Sequence, residues 1–149
     1  MKKILLAMLV FVLAACSLMP GNEFTQNRDK WKLASIPHYR YNLFLGCFCA
    51  FTGEMPLTVE VKDGEVISIT RADGTPVLIT DSNFQIYYPY LTMDRLFSQL
   101  ETDLAGEADE VTVTYDSTYG FPTEIAIDQI KAAVDDELSI QVSNFTVLE

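Results

Sequence analysis

The chain has 149 residues, a length that suits one domain with a real core, and it sets 21 acidic side chains against 10 basic ones for a formal charge of −11. A surface of that sign repels nucleic acid and anionic lipid headgroups, which argues against both as partners. Solubility and attraction of cations are the positive implications.

The N-terminus runs Met1, Lys2, Lys3 and then apolar without a break from Ile4 to Leu13, followed by Ala14, Ala15 and Cys16. A charged start, a short apolar stretch and small residues before a cut mark an export signal. Roughly ten apolar residues are half of the ~20 that span a bilayer, so a retained membrane helix is not expected. Leu13-Ala14-Ala15-Cys16 resembles the lipobox of bacterial lipoproteins. That resemblance implies a diacylglyceryl group on the Cys16 thiol, cleavage just before it, and acylation of the new amine, with palmitate a typical chain. Two or more buried chains, at ~0.8 kcal/mol per methylene, hold a protein on a membrane where one is marginal. Ser17 stands where an Asp would resemble an inner-membrane retention signal. The expected address is therefore the cell envelope, and the outer membrane facing the periplasm in an organism that has one. Cleavage removes Lys2 and Lys3, leaving 134 residues with 8 basic against 21 acidic side chains and a formal charge of −13.

The reading divides the chain into a signal at 1–15, a lipidated cysteine and tether at 16–23, and one globular domain at 24–149. Residues 17–23 carry turn residues and no period, and at ~3.3 Å each they reach at most about 25 Å. A helix is predicted from about Thr25 to Ser35, ended by Pro37. Tyr39 to Phe51 then alternates, with Tyr39, Tyr41, Leu43, Leu45, Cys47, Cys49 and Phe51 on the core face. Leu57–Arg71 reads as a hairpin around Asp63-Gly64. A three-residue loop, Lys62 to Gly64, is preferred because it pairs Val59 with Ile67 and Leu57 with Ile69, keeping both isoleucines on the core face.

The segment "NFQIYYPYL" fits no single period. After it comes the clearest helix, Met93 to about Ala105, with Thr92 as N-cap, Asp94 in the first turn, Leu91 and Leu96 as a staple, and Gly106 as the stop. Met93, Leu96, Phe97, Leu100 and Leu104 form its apolar stripe, read as core packing. Strands follow at Val111–Tyr115, around Ile125 and Ile127, and from Leu138 to Leu148, with "DSTYGFP" turning the chain between the first two. Hairpins rather than crossovers predict an α+β, two-layer domain: an antiparallel sheet of about five strands with two helices packed on one face.

Trp31, the Tyr39/Tyr41 pair, Cys47-Phe48-Cys49, "VEVKDGEV", Leu96-Phe97, "YDSTYGFPTEIAID" and Asp135-Asp136-Glu137 together resemble a bacterial domain of unknown function, the family numbered 6174. The likeness spans about Trp31 to Phe145. It implies a setting among small exported lipoproteins and brings no activity, cofactor or catalytic residues.

Nucleophilic catalysis needs a base in reach of the nucleophile, and His38 is the chain's one histidine, placed at an element boundary where a surface role is expected. Glycine-rich phosphate loops and a nucleophile elbow are absent. Asp116, Asp128, Asp135, Asp136 and Glu137 offer carboxylates without an EF-hand spacing. Asp116 is expected to cap the turn before Gly120, and Asp135–Glu137 to form a solvated turn. A carboxylate hydrolase using Asp128 or Asp135 is a distant reading.

Cys47 and Cys49 remain. In an oxidising compartment two thiols tend to end as a disulfide. A regular strand holds residues two apart at ~6.6 Å, so a bridge requires a bend, for which Gly46 is well placed. The alternatives are two buried thiols or a thiolate site for a soft metal such as Cu(I). No catalytic residue, cofactor or specific metal is assigned. The expected function is a non-enzymatic envelope binding or accessory module, held to its membrane through Cys16 and meeting an envelope protein or component. The alternative is a thiol-redox or copper-handling protein using Cys47 and Cys49.

Overall fold

The computed structural model describes residues 20–133 and 135–149. Cys16 and the 1–15 signal lie outside the described residues. The elements are α1 (Pro20–Ala34), β1 (His38–Gly46), β2 (Leu57–Lys62), β3 (Glu65–Thr70), α2 (Phe84–Tyr87), α3 (Met93–Ala105), β4 (Glu110–Tyr115), β5 (Pro122–Asp128) and β6 (Leu138–Val147). Short 3₁₀ turns at Thr52–Glu54 and Tyr88–Tyr90 complete the list.

One antiparallel sheet runs in the order β3-β2-β1-β6-β5-β4. Two three-stranded meanders, β1-β2-β3 and β4-β5-β6, are joined where β1 pairs with β6. The connection from β3 to β4 therefore has to travel from one edge of the sheet to the other, and α2 and α3 lie along it. The expected architecture holds in outline, with six strands instead of about five and three helices instead of two.

Burial follows the alternation. On β1, Tyr39, Tyr41, Leu43 and Leu45 are all at most 3% exposed, whereas Arg40 on the other face is open to solvent. The helices cover that first face. Trp31 of α1 sets its edge against Tyr39 at 5.3 Å and against Phe121 and Phe145 at about 6 Å. Phe24 meets Phe97 of α3 edge-on, and Arg28 pairs with Glu101 at 2.9 Å. The hydroxyls buried with these rings are used: Tyr41 donates to the Tyr90 carbonyl at 2.7 Å, and the Met93 amide donates to Tyr39 at 3.1 Å.

Helix α3 has the bounds its sequence predicts. Thr92 accepts from the Arg95 amide at 3.2 Å, Leu91 and Leu96 are fully buried, and the helix stops at Gly106. Helix α1 differs, starting at Pro20 rather than near Thr25, so the end of the predicted tether is helical. Proline breaks a helix interior but suits its first turn, where the missing N–H has no partner to lose.

The β2–β3 hairpin corrects the preferred register. Lys62 pairs with Glu65 across a two-residue Asp63-Gly64 turn, both residues at positive φ (52° and 80°), as a type I′ turn requires. Val61 then faces Val66, and one residue further the ladder shifts so that Val59 pairs with Ile69 instead of Ile67. Ile67 is the extra residue: it is half-exposed, and Ile69 returns to the core. A bulge restores the face that the turn alone would have lost. β6 uses the same device, since its register on β1 shifts between Arg40 and Asn42 with Asn144 at φ 53°. The shift turns Phe145 inward onto Trp31 and Tyr39.

Candidate functional site

β1 ends at Gly46, five residues before the expected Phe51, so Cys47 and Cys49 lie in the turn beyond the sheet, where both are half-buried against the edge of the core. They form a disulfide with Cα atoms 5.1 Å apart. The Cys49 amide donates to the Cys47 carbonyl at 2.8 Å, and the Thr52 hydroxyl donates to the Cys49 carbonyl at 2.7 Å. These bonds fold the segment into a knuckle with Phe48 at its tip, 86% exposed. Cys47, Phe48, Cys49, Ala50 and Thr52 line an open depression there of about 560 Å³. Among the described residues none that line it is an acid or a base.

Next to the knuckle lies a polar cluster that gave no sequence signal. Arg71, at the end of β3, donates to Glu54 at 2.7 Å, to Asp81 at 2.7 Å and to the Pro76 carbonyl at 2.6 Å. Asn83 and Tyr87 donate to the same Glu54 carboxylate, at 2.9 and 3.0 Å. The Arg71 bond, helped by Tyr87 and Asn83, holds the Glu54 carboxyl below its usual range. Asp81 is held low by the Leu78 amide and by Arg71. Every partner is satisfied within the cluster. It clamps the 71–87 connection to the 52–54 turn, and the partners of Glu54 lie 17 to 33 positions from it, too far for any local pattern to reveal.

The other candidates occupy separate places. His38 reaches Glu60 at 2.8 Å on the open sheet face and the Glu149 backbone oxygen at 3.1 Å, with no nucleophile among these partners. Asp116 accepts from the amides of Thr118 and Tyr119 at 2.9 and 2.6 Å, a turn cap. Asp128 lies opposite Glu110 at the open end of β5. Burial first, then the charges of Asp136, Glu137 and Asp109, push its carboxyl above the usual range. Asp128 Oδ1 and both Asp136 carboxylate oxygens are shielded from solvent and accept no hydrogen bond. A shallow groove of about 250 Å³ runs beside them across Gly46, Ser139, Ala126 and Thr112, four small residues on neighbouring strands. Among the described residues no group of three or more His, Cys, Asp or Glu is placed to hold a metal ion.

A last cavity, about 280 Å³, opens where four segments meet: the C-terminal end of α1, the start of β1, the Asp63-Gly64 turn and the first turn of α3. Trp31 and Tyr39 floor it, and Lys32, Asp63 and Asp94 stand at its rim. Burial pushes the Tyr39 hydroxyl up to about 12, so it stays protonated. The Asp63 amide donates to the Pro37 carbonyl at 2.6 Å, which fixes the hairpin tip against the α1–β1 corner.

The chain belongs to the DUF6174 family, a family of unknown function, which it matches over residues 23–147. The match covers the whole sheet to the end of β6 and leaves residues 1–22, the first residues of α1 among them, and 148–149 outside it. Neither the curated proteins nor the solved structures contain a match to the chain. No helix among the described residues is long and apolar enough to cross a membrane.

Proposed function

We propose that the chain is a lipid-anchored binding module of a bacterial cell envelope, tethered through Cys16 and acting without catalysis of its own. The carrying observation is Leu13-Ala14-Ala15-Cys16, set directly after the apolar run and only four residues before α1 begins at Pro20. A domain so close to its anchor works within a few tens of ångströms of the membrane. The described side chains support a binding role: Glu54, Asp81 and Arg71 are spent on the clamp, His38 on Glu60, and Asp116 on its own turn. In a diderm organism the anchor places the module on the outer membrane, facing periplasmic partners.

The test is to express the chain from Met1 with a clickable palmitate analogue and compare it with Cys16→Ala. The label and membrane-fraction recovery should both depend on Cys16. An unlabelled, freely soluble wild-type protein would overturn the anchor, and surface cross-linking that recovers only the monomer would count against a protein partner.

A second reading rests on the Cys47–Cys49 bridge at an exposed knuckle: thiol–disulfide exchange with an envelope dithiol, or, in the reduced form, Cu(I) handling. Replacing both cysteines with serine should abolish exchange with a dithiol such as dithiothreitol and any copper bound after reduction. Unchanged behaviour would eliminate it.

A further inference from the structure

We infer that the cavity between α1, β1, the β2–β3 turn and α3 binds a small zwitterion, a free amino acid or a short peptide with both termini unblocked. The inference rests on the binding-module reading and gives it a ligand class.

Three facts carry it. First, the rim holds charges of both signs, Lys32 on one segment and Asp63 and Asp94 on two others, around one opening. Second, none of the three makes a hydrogen bond or ion pair through its side chain with any described residue, although the structure pairs Arg28, Arg71 and Lys131 with nearby carboxylates. Lys32 lines the same opening as two aspartates that it does not pair with, which leaves an ammonium free for a carboxylate and two carboxylates free for an amine. A ligand carrying both charges satisfies both sets at once, and charge-assisted bonds of this kind are the strong ones. Third, the floor is Trp31 and Tyr39, rigid because Tyr39 accepts from Met93 and Trp31 is wedged among three rings. A preformed aromatic floor costs little ordering when a side chain settles on it. The volume, about 280 Å³, falls just under the ~300 Å³ where pockets for drug-sized molecules begin, which suits one or two amino-acid residues.

Trp31 is the chain's one tryptophan, so the cavity carries its own reporter. The experiment titrates the full chain, recovered in detergent, with the dipeptide Leu-Ala and follows Trp31 emission. N-acetyl-Leu-Ala and Leu-Ala-amide, each missing one charge, are run beside it. The expected result is a saturable response to Leu-Ala that weakens about tenfold or more with either blocked form. Lys32→Gln should lose the preference for a free carboxylate and Lys32→Arg should keep it. Asp63→Asn, which tolerates the positive φ of that turn, and Asp94→Asn should together lose the preference for a free amine. All these positions are solvent-exposed, and unchanged thermal midpoints will show that the fold survives. No saturable response up to millimolar dipeptide, or equal binding of all three forms, overturns the inference. A protein that responds but carries no lipid at Cys16 overturns the anchor and leaves the pocket standing; a lipidated protein that gives no response does the reverse.

Discussion

The two faces of the sheet are built from the same strands and behave as different materials. On the covered face Leu43, Leu57, Val59, Ile125 and Ile140 are at most 1% exposed and pack against α1 and α3. On the open face the same strands present Arg40, Asn42, Thr58, Glu60, Glu124 and Gln141, joined by bonds such as Thr58 to Asn42 at 3.2 Å and Thr114 to Thr123 at 3.0 Å. Stability therefore concentrates on the covered side. The difference teaches where to look for binding: at the margins where the two materials meet, such as the cavity at the end of α1 and the knuckle past β1.

The largest break should come from the covered face. Leu43 is fully buried at the middle of β1, between β2 and β6. Leu43→Ala should cost about 2–5 kcal/mol in chemical denaturation, the lost transfer energy plus a cavity that close-packed neighbours cannot fill. A cost under 1 kcal/mol would mean that the two meanders are not one cooperative unit.

Next comes the seam that holds α1 onto the sheet. Gly120 sits at φ 83°, and a Cβ there would lie 2.5 Å from the Asn27 carbonyl oxygen and 3.0 Å from Lys30 Cβ. Lys30 also donates to the Ser117 carbonyl of the same turn. Gly120→Ala combines backbone strain with a clash against helix backbone, so about 2–3 kcal/mol is expected from the conformational penalty and the overpacking together. Trp31 emission should shift to the red as α1 lifts, a local readout that Leu43→Ala in the folded state would not give.

How much of this was legible in sequence depends on the range of the interaction. The β1 core face, the capping of α3 and the Asp116 turn could all be read because each is decided within four or five residues. The β2–β3 register could not, because the sequence offered two consistent faces and the choice fell to a bulge at Ile67 that period-two reasoning has no way to place. Asn144 is the same case in β6. Cys47 and Cys49 read as strand because the alternation carries past Gly46, whereas the strand stops there and a turn brings the pair half-buried against the core. The clamp and the Trp31 cavity were invisible for a different reason: their members come from three or four segments, and only the fold brings Arg71 to Glu54 or Lys32 near Asp63.

The Arg71 clamp sharpens the comparison, since it is polar yet structural. Arg71→Met removes three bonds to carboxylates and a carbonyl and leaves Glu54 with Asn83 and Tyr87 but no cationic partner, which should cost about 1–3 kcal/mol near neutral pH. The pH dependence has a definite sign. Glu54 has a lowered native pKa, so its contribution is present above the ordinary glutamate range and is lost as the pH falls through the native value. The penalty of Arg71→Met should therefore shrink on acidification. A penalty independent of pH would show that the guanidinium acts through packing rather than through its charge.

The smallest effect comes from a place where the open face works against the fold. Asp128 has a raised native pKa, from burial first and then from Asp136, Glu137 and Asp109, so the folded chain holds that proton more tightly than the unfolded one. Stability from this group is full below the ordinary aspartate range and is lost as the pH rises through the native value, so at neutral pH the ionised carboxylate is a local liability. Asp128→Asn should raise the thermal midpoint at about pH 7 and leave it unchanged near pH 3, where the wild-type carboxyl is itself protonated. Added salt should narrow the gap at neutral pH by the share that the three neighbouring charges contribute, and leave the share due to burial. If salt has no effect, burial alone sets the shift, and the acidic loop after β5 is electrostatically separate from the strand that carries Asp128.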